Sequence, residues 1–356
     1  MMTSSTRQLD QAAPDEARAP ALRGKSMPVI AGLLATLAAS AAFVRYKTNQ
    51  VEKQNPPAGK FVEVNGVRLH YVERGEGQAL VLLHGNGTSS QEVDSSGLID
   101  VASASHRVLA FDRPGYGYSE RPGRMKWNAE AQADLLHEAL QRLGVEKPII
   151  VAHSWATMVA IAFALRHPGA ARSLVLLSGY YYPTPRMDVA AFSPTALPVV
   201  GDAMRHTVSP LIGRAMWPAF LAKLFAPTAA PQRFLSEYPV WMSLRPGQLR
   251  ATTEEIAMMI PSAAELSARY GELKLPVVIM AGKSDLHVLP RLHSERLHAA
   301  IPHSKLVLVS GVGHMVTHSA LPEVMQAIRT ADGDSHAMAS QGVPAAPASA
   351  GSAAAG

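Results

Sequence analysis

Short apolar runs that alternate with helical segments constrain the fold of this chain more than any other feature. Helical patterns over 129–143 and 155–166 separate some of these runs. Strands that are apolar on both faces and alternate with helices are typical of a mostly parallel sheet covered on both sides. We therefore predict an α/β protein, preceded by a β-hairpin at 61–72 that turns at Asn65-Gly66. The runs predicted as strands are 79–83, 108–111, 149–151, 174–177, 277–280 and 306–309.

One long interval, 181–272, breaks this alternation. It is rich in Pro, Met, Leu and Phe, has a helical pattern and shows no strand alternation. An insertion of this size between two strands indicates a helical cap over one edge of the sheet, with the α/β core formed by 61–180 and 273–331. Trp217, Phe220 and Trp241 suit either an apolar pocket or the cap's own core, so we assign no substrate contact.

The most apolar stretch, 27–44, carries no charged residue and has basic residues on both sides. As a helix it would be about 27 Å long, at about 1.5 Å per residue, which is enough to cross the core of a bilayer. We expect an uncleaved transmembrane anchor. The alternative is a signal peptide whose cleavage releases a secreted protein, because Ala39-Ser40-Ala41 has the small–x–small form of a cleavage site.

The segments on either side of the anchor, and the C-terminal segment, are predicted to lie outside the folded core. Residues 1–26 are predicted to be an N-terminal tail, the polar residues 45–60 a linker, and the Ala-, Gly-, Ser- and Pro-rich residues 332–356 a disordered tail. The basic residues around 27–44 are too evenly placed to fix the orientation. The usual behaviour of signal anchors favours a folded domain on the extracytoplasmic, periplasmic side.

Composition excludes several classes of function. The 356 residues contain no cysteine, which excludes a disulfide framework, a thiolate metal site and a cysteine nucleophile. The net charge is +5, but residues 1–60 alone hold eight Lys and Arg against four Asp and Glu. The rest of the chain is close to neutral and has no basic stripe, so we expect no nucleic-acid partner.

A serine follows the strand predicted at 149–151. Ser154 has Ala152 two residues before it and Ala156 two residues after it, and a helical stretch follows. Small residues at these positions permit the tight strand-to-helix turn that exposes a nucleophilic serine. The usual motif has glycine at both positions, and alanine adopts positive φ less readily. The alternative interpretation is an ordinary serine N-cap of the helix.

Three other strand ends carry residues that could assist a nucleophilic serine. His84-Gly85-Asn86-Gly87 follows the strand at 79–83, and its Asn86 N–H could form an oxyanion hole with the Trp155 N–H. Asp285 follows the strand at 277–280, and His314 follows the strand at 306–309. Ligand sites of parallel sheets form at these carboxyl ends. Ser154, Asp285 and His314 are therefore the candidate nucleophile, acid and base.

With the segment Asp112-Arg113-Pro114-Gly115-Tyr116-Gly117, these residues resemble serine-type α/β-hydrolases that carry a helical cap, over roughly 61–331. The resemblance implies the α/β-hydrolase fold, an esterase- or lipase-like activity, no cofactor and a structural role for Asp112. Residues 84–90 and Trp155 are also similar to haloalkane dehalogenases. Those enzymes, like epoxide hydrolases, use an aspartate where this chain has Ser154. Because a serine ether left by halide displacement could not be hydrolysed, dehalogenation is excluded.

The resemblance implies a carboxylic-ester hydrolase with an acyl-enzyme intermediate, and the apolar anchor and cap favour a hydrophobic small-molecule ester. Hydrolysis of amides, thioesters, lactones or carbon–carbon bonds, and perhydrolysis, would use the same residues and remain open. The alternative from another class is an inactive hydrolase fold that serves as a binding module, which the departures at Ala152 and Ala156 favour.

Histidines are abundant, but we expect no metal. His314 and His318 are four residues apart, yet Met315 stands where a His-Glu-x-x-His zinc helix has its glutamate. His153 is predicted to be structural. Three further histidines are predicted to be solvated residues of helices and loops, namely His293, His298 and His303.

Overall fold

The computed structural model describes residues 26–123, 125–185 and 199–341. Residues 1–25 of the predicted N-terminal tail, 186–198 of the predicted cap and 342–356 of the predicted C-terminal tail lie outside this part of the chain. The strands are β1 (Lys60–Val64), β2 (Val67–Arg74), β3 (Gln78–Leu83), β4 (His106–Phe111), β5 (Ile149–His153), β6 (Ser173–Leu177), β7 (Val277–Gly282) and β8 (Lys305–Val309).

The helices fall into four groups along the chain. The helix before the sheet is α1 (Ser26–Gln54), and those among the first six strands are α2 (Ser90–Ser95), α3 (Leu98–Ala102), α4 (Ala129–Arg142) and α5 (Ala156–Arg166). Between β6 and β7 lie α6 (Val200–His206), α7 (Ser209–Phe225), α8 (Gln232–Glu237), α9 (Val240–Ser243) and α10 (Pro246–Ser267). The last helices are α11 (Ser294–Ala300), α12 (Val316–Ser319) and α13 (Leu321–Gln341), with short 3₁₀ turns at Tyr270–Glu272 and Pro290–Leu292.

The strands form one eight-stranded sheet in the order β1-β2-β4-β3-β5-β6-β7-β8. The β1–β2 and β2–β4 pairs are antiparallel and the other five are parallel. Asn65 and Gly66 both have positive φ in the β1–β2 turn, as a two-residue hairpin requires. The predicted α/β architecture, with a mostly parallel sheet flanked by helices, is confirmed.

Helices cover the sheet on both faces. Along β3, Val81 and Leu83 pack with α4 and α5 on one face, whereas Leu80 and Leu82 pack with α2, α3 and α13 on the other. All four side chains are almost completely buried. Burial on both faces explains why these strands are continuous apolar runs in the sequence and not alternating ones.

The predicted linker is wrong over its first part, because α1 continues through residues 45–54 to Gln54. Val44 and Val51 are buried, and Glu52 forms an ion pair with Arg245 of the α9–α10 connection at 2.8 Å. Packing on the cap therefore stabilises a helix where the polar sequence indicated a linker. Within the described residues, α1 is the one helix that is long and apolar enough to cross a membrane, judged by length and composition.

The predicted disordered tail is also wrong over its first ten residues, because α13 continues through 332–341. Asp332 pairs with Arg172 at 2.9 Å, and Asp334 pairs with Lys305 at 2.7 Å. These ion pairs join the middle of α13 to the starts of β6 and β8, a tertiary contact that composition alone does not indicate.

Candidate active site

Ser154 forms the turn between β5 and α5. Its φ is 54°, a value that residues other than glycine rarely adopt, and its N–H donates to the Leu177 carbonyl of β6 at 2.8 Å. Ala152 and Ala156 are completely buried. Neither alanine is among the positive-φ residues of the described chain. The strained conformation falls on the serine itself, so the flanking alanines need only be small.

His314 lies beside this serine in the loop after β8. Its Nε2 is 3.1 Å from the Ser154 Oγ, and its Nδ1 is 2.8 Å from the Asp285 Oδ2. Both His314 and Asp285 are buried. The carboxyl ends of β5, β7 and β8 thus bring the three predicted residues into one row of hydrogen bonds.

The loop after β7 orients the Asp285 carboxylate. Its Oδ1 accepts hydrogen bonds from the backbone N–H groups of His287 and Val288, each at 2.8 Å. Burial alone raises the pKa of this carboxyl, but the His314 ring and the two N–H donors outweigh burial, so the pKa of Asp285 lies below its ordinary value. The carboxylate is therefore ionised at neutral pH and favours the His314 tautomer that carries a proton on Nδ1.

The loop that contains Asn86 approaches the serine closely. A Cβ atom added to Gly85 would lie 3.1 Å from the His153 Nδ1 and 3.3 Å from the Ser154 Cβ, so a side chain there would press on both residues. Within the described residues, neither the Asn86 nor the Trp155 N–H donates to a backbone acceptor. The two predicted oxyanion donors therefore lie on the two segments that meet at Ser154, with no backbone partner of their own.

A buried glutamate of the cap holds the Asn86 side chain. Glu255 of α10 accepts hydrogen bonds from the Asn86 Nδ2 at 3.0 Å and from the Tyr116 hydroxyl at 2.7 Å, and it forms a two-point ion pair with Arg113. Burial alone raises the pKa of Glu255, but the Arg113 charge and these donors outweigh it and leave the pKa below its ordinary value. The cap thus places an ionised carboxylate against the predicted oxyanion loop.

Arg113 links this glutamate to the core. Its Nε donates to the His84 carbonyl and its Nη2 to the Gly85 carbonyl, both at 2.9 Å. Its guanidinium also lies over the Trp155 ring, 5.0 Å from the centroid. Arg113 thus fixes the backbone of the predicted oxyanion loop, and Glu255 fixes the side chain of Asn86. The sequence predicts a structural role for the segment that contains Arg113 and assigns no role to Glu255.

A signal for Glu255 is present in the sequence of α10. Its buried positions include residues spaced three or four apart, the spacing of one helix face. A glutamate on such a stripe requires a buried cation, since an unpaired charge there would be too costly. Which arginine supplies that charge depends on how the cap docks, so helix periodicity alone cannot identify Arg113. The stripe comprises Gln248, Ala251, Glu255, Met259, Ser262 and Leu266.

Two other histidines pack around His314. The centroids of the His287 and His153 rings lie 4.8 Å and 4.9 Å from the centroid of the His314 ring. The His153 Nε2 is 3.1 Å from the carbonyl oxygen of His314. Burial, followed by the proximity of His314, lowers the pKa of His153 to about 4. His153 is therefore neutral at physiological pH and supports the loop that carries His314.

Among the described residues, the remaining histidines do not assemble a metal site. His318 pairs with the buried Glu92 at 2.7 Å, and within the described ranges no group of three or more His, Asp or Glu side chains is arranged to hold a metal. The prediction that His293 is solvated is wrong. Its ring is buried, accepts a hydrogen bond from the Tyr181 N–H at 3.1 Å and packs 4.5 Å from the Tyr180 ring.

Comparisons of the sequence with known proteins agree with this architecture. A family model described as the alpha/beta hydrolase fold matches residues 78–320. An uncharacterized protein of Mycobacterium tuberculosis is 30% identical over 273 residues, which are 74% of this chain and 77% of the relative. Haloalkane dehalogenase 2 of the same species is 27% identical over 271 residues, 73% of this chain and 90% of the relative.

Solved structures share the fold. An esterase from Exiguobacterium antarcticum superposes with a TM-score of 0.62 at 20% identity, covering 77% of this chain and 99% of the esterase. At this identity the likeness concerns the fold alone.

Proposed function

Because the chain belongs to the alpha/beta hydrolase fold family, we propose that it is a serine hydrolase that cleaves a carboxylic ester. The observation that carries the proposal is the row of hydrogen bonds from Asp285 through His314 to the Ser154 Oγ. The strained backbone at Ser154 supports it further, because such a turn exposes the hydroxyl at the carboxyl end of the sheet.

The reaction proceeds in two half-reactions. His314 removes the proton from the Ser154 hydroxyl as its Oγ attacks the ester carbonyl carbon, and Asp285 stabilises the imidazolium that forms. His314 then returns this proton to the departing alcohol, leaving the acyl group on Ser154. A water molecule, deprotonated by His314, attacks the acyl-enzyme and releases the acid. No cofactor takes part in this scheme.

The negative oxygen of each tetrahedral intermediate lies between the backbone N–H groups of Asn86 and Trp155. One such donor contributes about 3 kcal/mol of transition-state stabilisation, as judged by mutagenesis in other enzymes. Glu255 and Arg113 act as positioning residues, because they hold the Asn86 side chain and the carbonyls of His84 and Gly85.

The substrate in this proposal is an ester with an apolar acyl chain, held beneath the cap. Amides, thioesters, lactones, carbon–carbon bonds and perhydrolysis are the alternatives on the same residues. We expect a panel of these substrates to give the fastest turnover with esters, and p-nitrophenyl esters to be cleaved faster as the acyl chain lengthens from acetate. A series that peaks at acetate would contradict the hydrophobic ester.

In the same proposal, α1 anchors the enzyme, with its folded domain on the periplasmic side. The contact of Ser40 with the cap supports an uncleaved anchor, because cleavage would remove it. Ser40 donates a hydrogen bond to the Thr207 carbonyl of the cap at 2.8 Å, and Val44 is buried. Cleavage after Ala41 would cut through a continuous helix and remove Ser40. The alternative, secretion after cleavage, predicts a mature protein that lacks residues 1–41, which mass spectrometry of the purified protein would detect.

A fluorophosphonate probe, which reacts with activated serines, tests the nucleophile. We expect the wild type to be labelled and both Ser154→Ala and His314→Ala to lose labelling, since the members of such a unit each contribute a factor of about 10⁴–10⁶ in rate.

Ser178→Ala is the matched control. Ser178 follows β6 with a φ of 46°, and its N–H donates to the Met280 carbonyl at 2.8 Å, as the Ser154 N–H does to Leu177. Its Oγ is buried without a partner in the described structure, so removing it should leave both stability and labelling intact. Labelling that persists in Ser154→Ala would mean another nucleophile. A folded wild type that is not labelled would favour the inactive binding module.

A further inference from the structure

The cap helix α7 has an unusual surface. Arg214 and Lys223 are its only charged residues, so the helix is apolar almost all the way round. Helices of that composition are normally buried, yet much of α7 faces outward, with Met216 55% and Ile212 48% exposed. We define the apolar cap face as the exposed side chains Val200, Val208, Leu211, Ile212, Met216 and Phe220.

Near the N-terminal end of α7, the cap contacts α1. The Ser40 Oγ donates to the carbonyl of Thr207, two residues before α7 begins, and the Phe43 ring packs 6.1 Å from the Trp241 ring of α9. Ser40 lies within the apolar run 27–44, about 6 Å from Val44 at about 1.5 Å per residue. If α1 crosses a bilayer, the start of α7 therefore lies at the depth where α1 leaves it.

The other end of α7 reaches the candidate active site. The His314 N–H donates to the Leu224 carbonyl at 2.9 Å, and the Phe220 ring lies 6.1 Å from His287, which itself packs on His314. Leu286, next to His287, is 60% exposed. One helix of about 25 Å thus extends from the anchor to the loop that carries the candidate base.

We propose that the apolar cap face lies in the boundary between headgroups and acyl chains of the bilayer that α1 crosses. The apolar cap face and α1 are both apolar and exposed, and the Ser40–Thr207 hydrogen bond fixes their positions along the membrane normal. Because the two surfaces are continuous, we identify lipid as the partner of the cap face. Arg214 and Lys223 provide the positive charge that interfacial helices present to anionic headgroups. Taken with the proposed ester hydrolysis, on which this step rests, the arrangement makes a bilayer-embedded lipid ester the substrate class.

The absence of cysteine permits a direct test with the full-length protein. Ile212→Cys and Met216→Cys, labelled with an environment-sensitive fluorophore, are reconstituted in vesicles of phosphatidylcholine and phosphatidylglycerol. Glu323→Cys on α13, exposed and on the helical layer across the sheet from α4 and α5, is the control. We expect nitroxide-bearing lipids to quench most of the emission at 212 and 216, and aqueous iodide to quench mainly 323.

Two results would overturn the membrane contact. Probes at 212 and 216 that iodide quenches as strongly as the 323 probe would show a face in water. Probes that neither quencher reaches would show a protein contact, such as a second copy of the chain. Both measurements are independent of catalysis, so they decide the contact even if the proposed ester hydrolysis fails.

Activity then tests the substrate class. Ile212→Glu with Met216→Glu should lower hydrolysis of a vesicle-embedded long-chain lipid ester about tenfold, because carboxylates oppose interfacial binding. Hydrolysis of a soluble short-chain ester should be unchanged. The apolar pair Ile212→Leu with Met216→Leu should match the wild type on both substrates. An equal loss on both substrates, or a vesicle activity that does not change, would overturn delivery from the bilayer.

Discussion

Within the described residues, two buried aspartate–histidine pairs have nearly the same geometry. The Asp285 carboxylate lies 2.8 Å from the His314 ring, and the Asp112 carboxylate lies 2.7 Å from the His70 ring. Burial alone raises the pKa of both carboxyls. In each case the histidine and backbone N–H donors outweigh burial, and the pKa lies below its ordinary value.

The two pairs differ in the hydrogen-bond partner of the histidine's second ring nitrogen, Nε2. The His314 Nε2 lies 3.1 Å from the Ser154 hydroxyl, whereas the His70 Nε2 accepts a hydrogen bond from the Gly59 backbone N–H, also at 3.1 Å. One pair therefore faces a group that can react, and the other holds the segment that leads from α1 into β1. An acid paired with a base does not by itself indicate catalysis; the third group distinguishes the two cases.

The largest effect should come from Asp285→Asn. We expect kcat for an ester to fall by a factor of about 10⁴, because the amide favours the wrong His314 tautomer and cannot stabilise the imidazolium. The asparagine carbonyl can still accept the His287 and Val288 N–H bonds, so Tm should change little. Steady-state kinetics and thermal unfolding measure both quantities.

His70→Ala is the counterpart in the other pair. It should leave kcat of the folded enzyme near the wild-type value and lower the free energy of unfolding by about 3 kcal/mol, since Asp112 loses its buried partner and the Gly59 N–H its acceptor. Urea unfolding measures the loss. If His70→Ala reduced kcat as much as Asp285→Asn with no loss of stability, the distinction between the pairs would fail.

Two buried histidines that bond no carboxylate, His84 and His153, extend the comparison and should give a smaller effect. Burial, with the added repulsion of Arg113 for His84 and of His314 for His153, lowers each pKa from 6.5 to about 4. Between these values the unfolded chain binds more protons, so stability falls as pH falls from 6.5 towards 4. Each histidine should cost about 2 kcal/mol between pH 7 and pH 5, at about 1.36 kcal/mol per pKa unit.

Urea midpoints at pH 7 and pH 5 measure this loss, and His153→Gln removes one of the two contributions. The carboxyls of Asp285, Asp112 and Glu255 keep their charge in this interval, because their pKa values lie below the ordinary range. A variant whose stability falls with pH as steeply as that of the wild type would show that His153 is not the group responsible.

The sheet could be predicted from the sequence because its strands are buried on both faces. The runs predicted at 149–151 and 277–280 are the first parts of β5 (Ile149–His153) and β7 (Val277–Gly282). Their ends extend further because ladder hydrogen bonds continue past the last strongly apolar residue. The last third of α1, 45–54, could not be predicted, since Val51 and Glu52 gain their partners only when the cap docks.

The same contrast applies to the candidate site. Ser154, Asp285 and His314 could be found because parallel strands end at one edge of a sheet, whatever their separation along the chain. Glu255 reaches that edge from the cap, and its contact with Arg113 depends on the docking of one helix on another element. Cap packing likewise places Trp241 on Phe43 of α1, an outcome outside the two that the sequence suggested for this residue.

The buried ion pair between Glu255 and Arg113 limits how this architecture can be recombined. A cap grafted from another protein onto this sheet would leave Arg113 without its counter-charge, and this cap moved elsewhere would bury Glu255 alone. Cap and core can therefore be exchanged only if both sides of that pair travel together. For protein engineers and for natural recombination, the segment to exchange is the cap together with the core loop after β4 that carries Arg113.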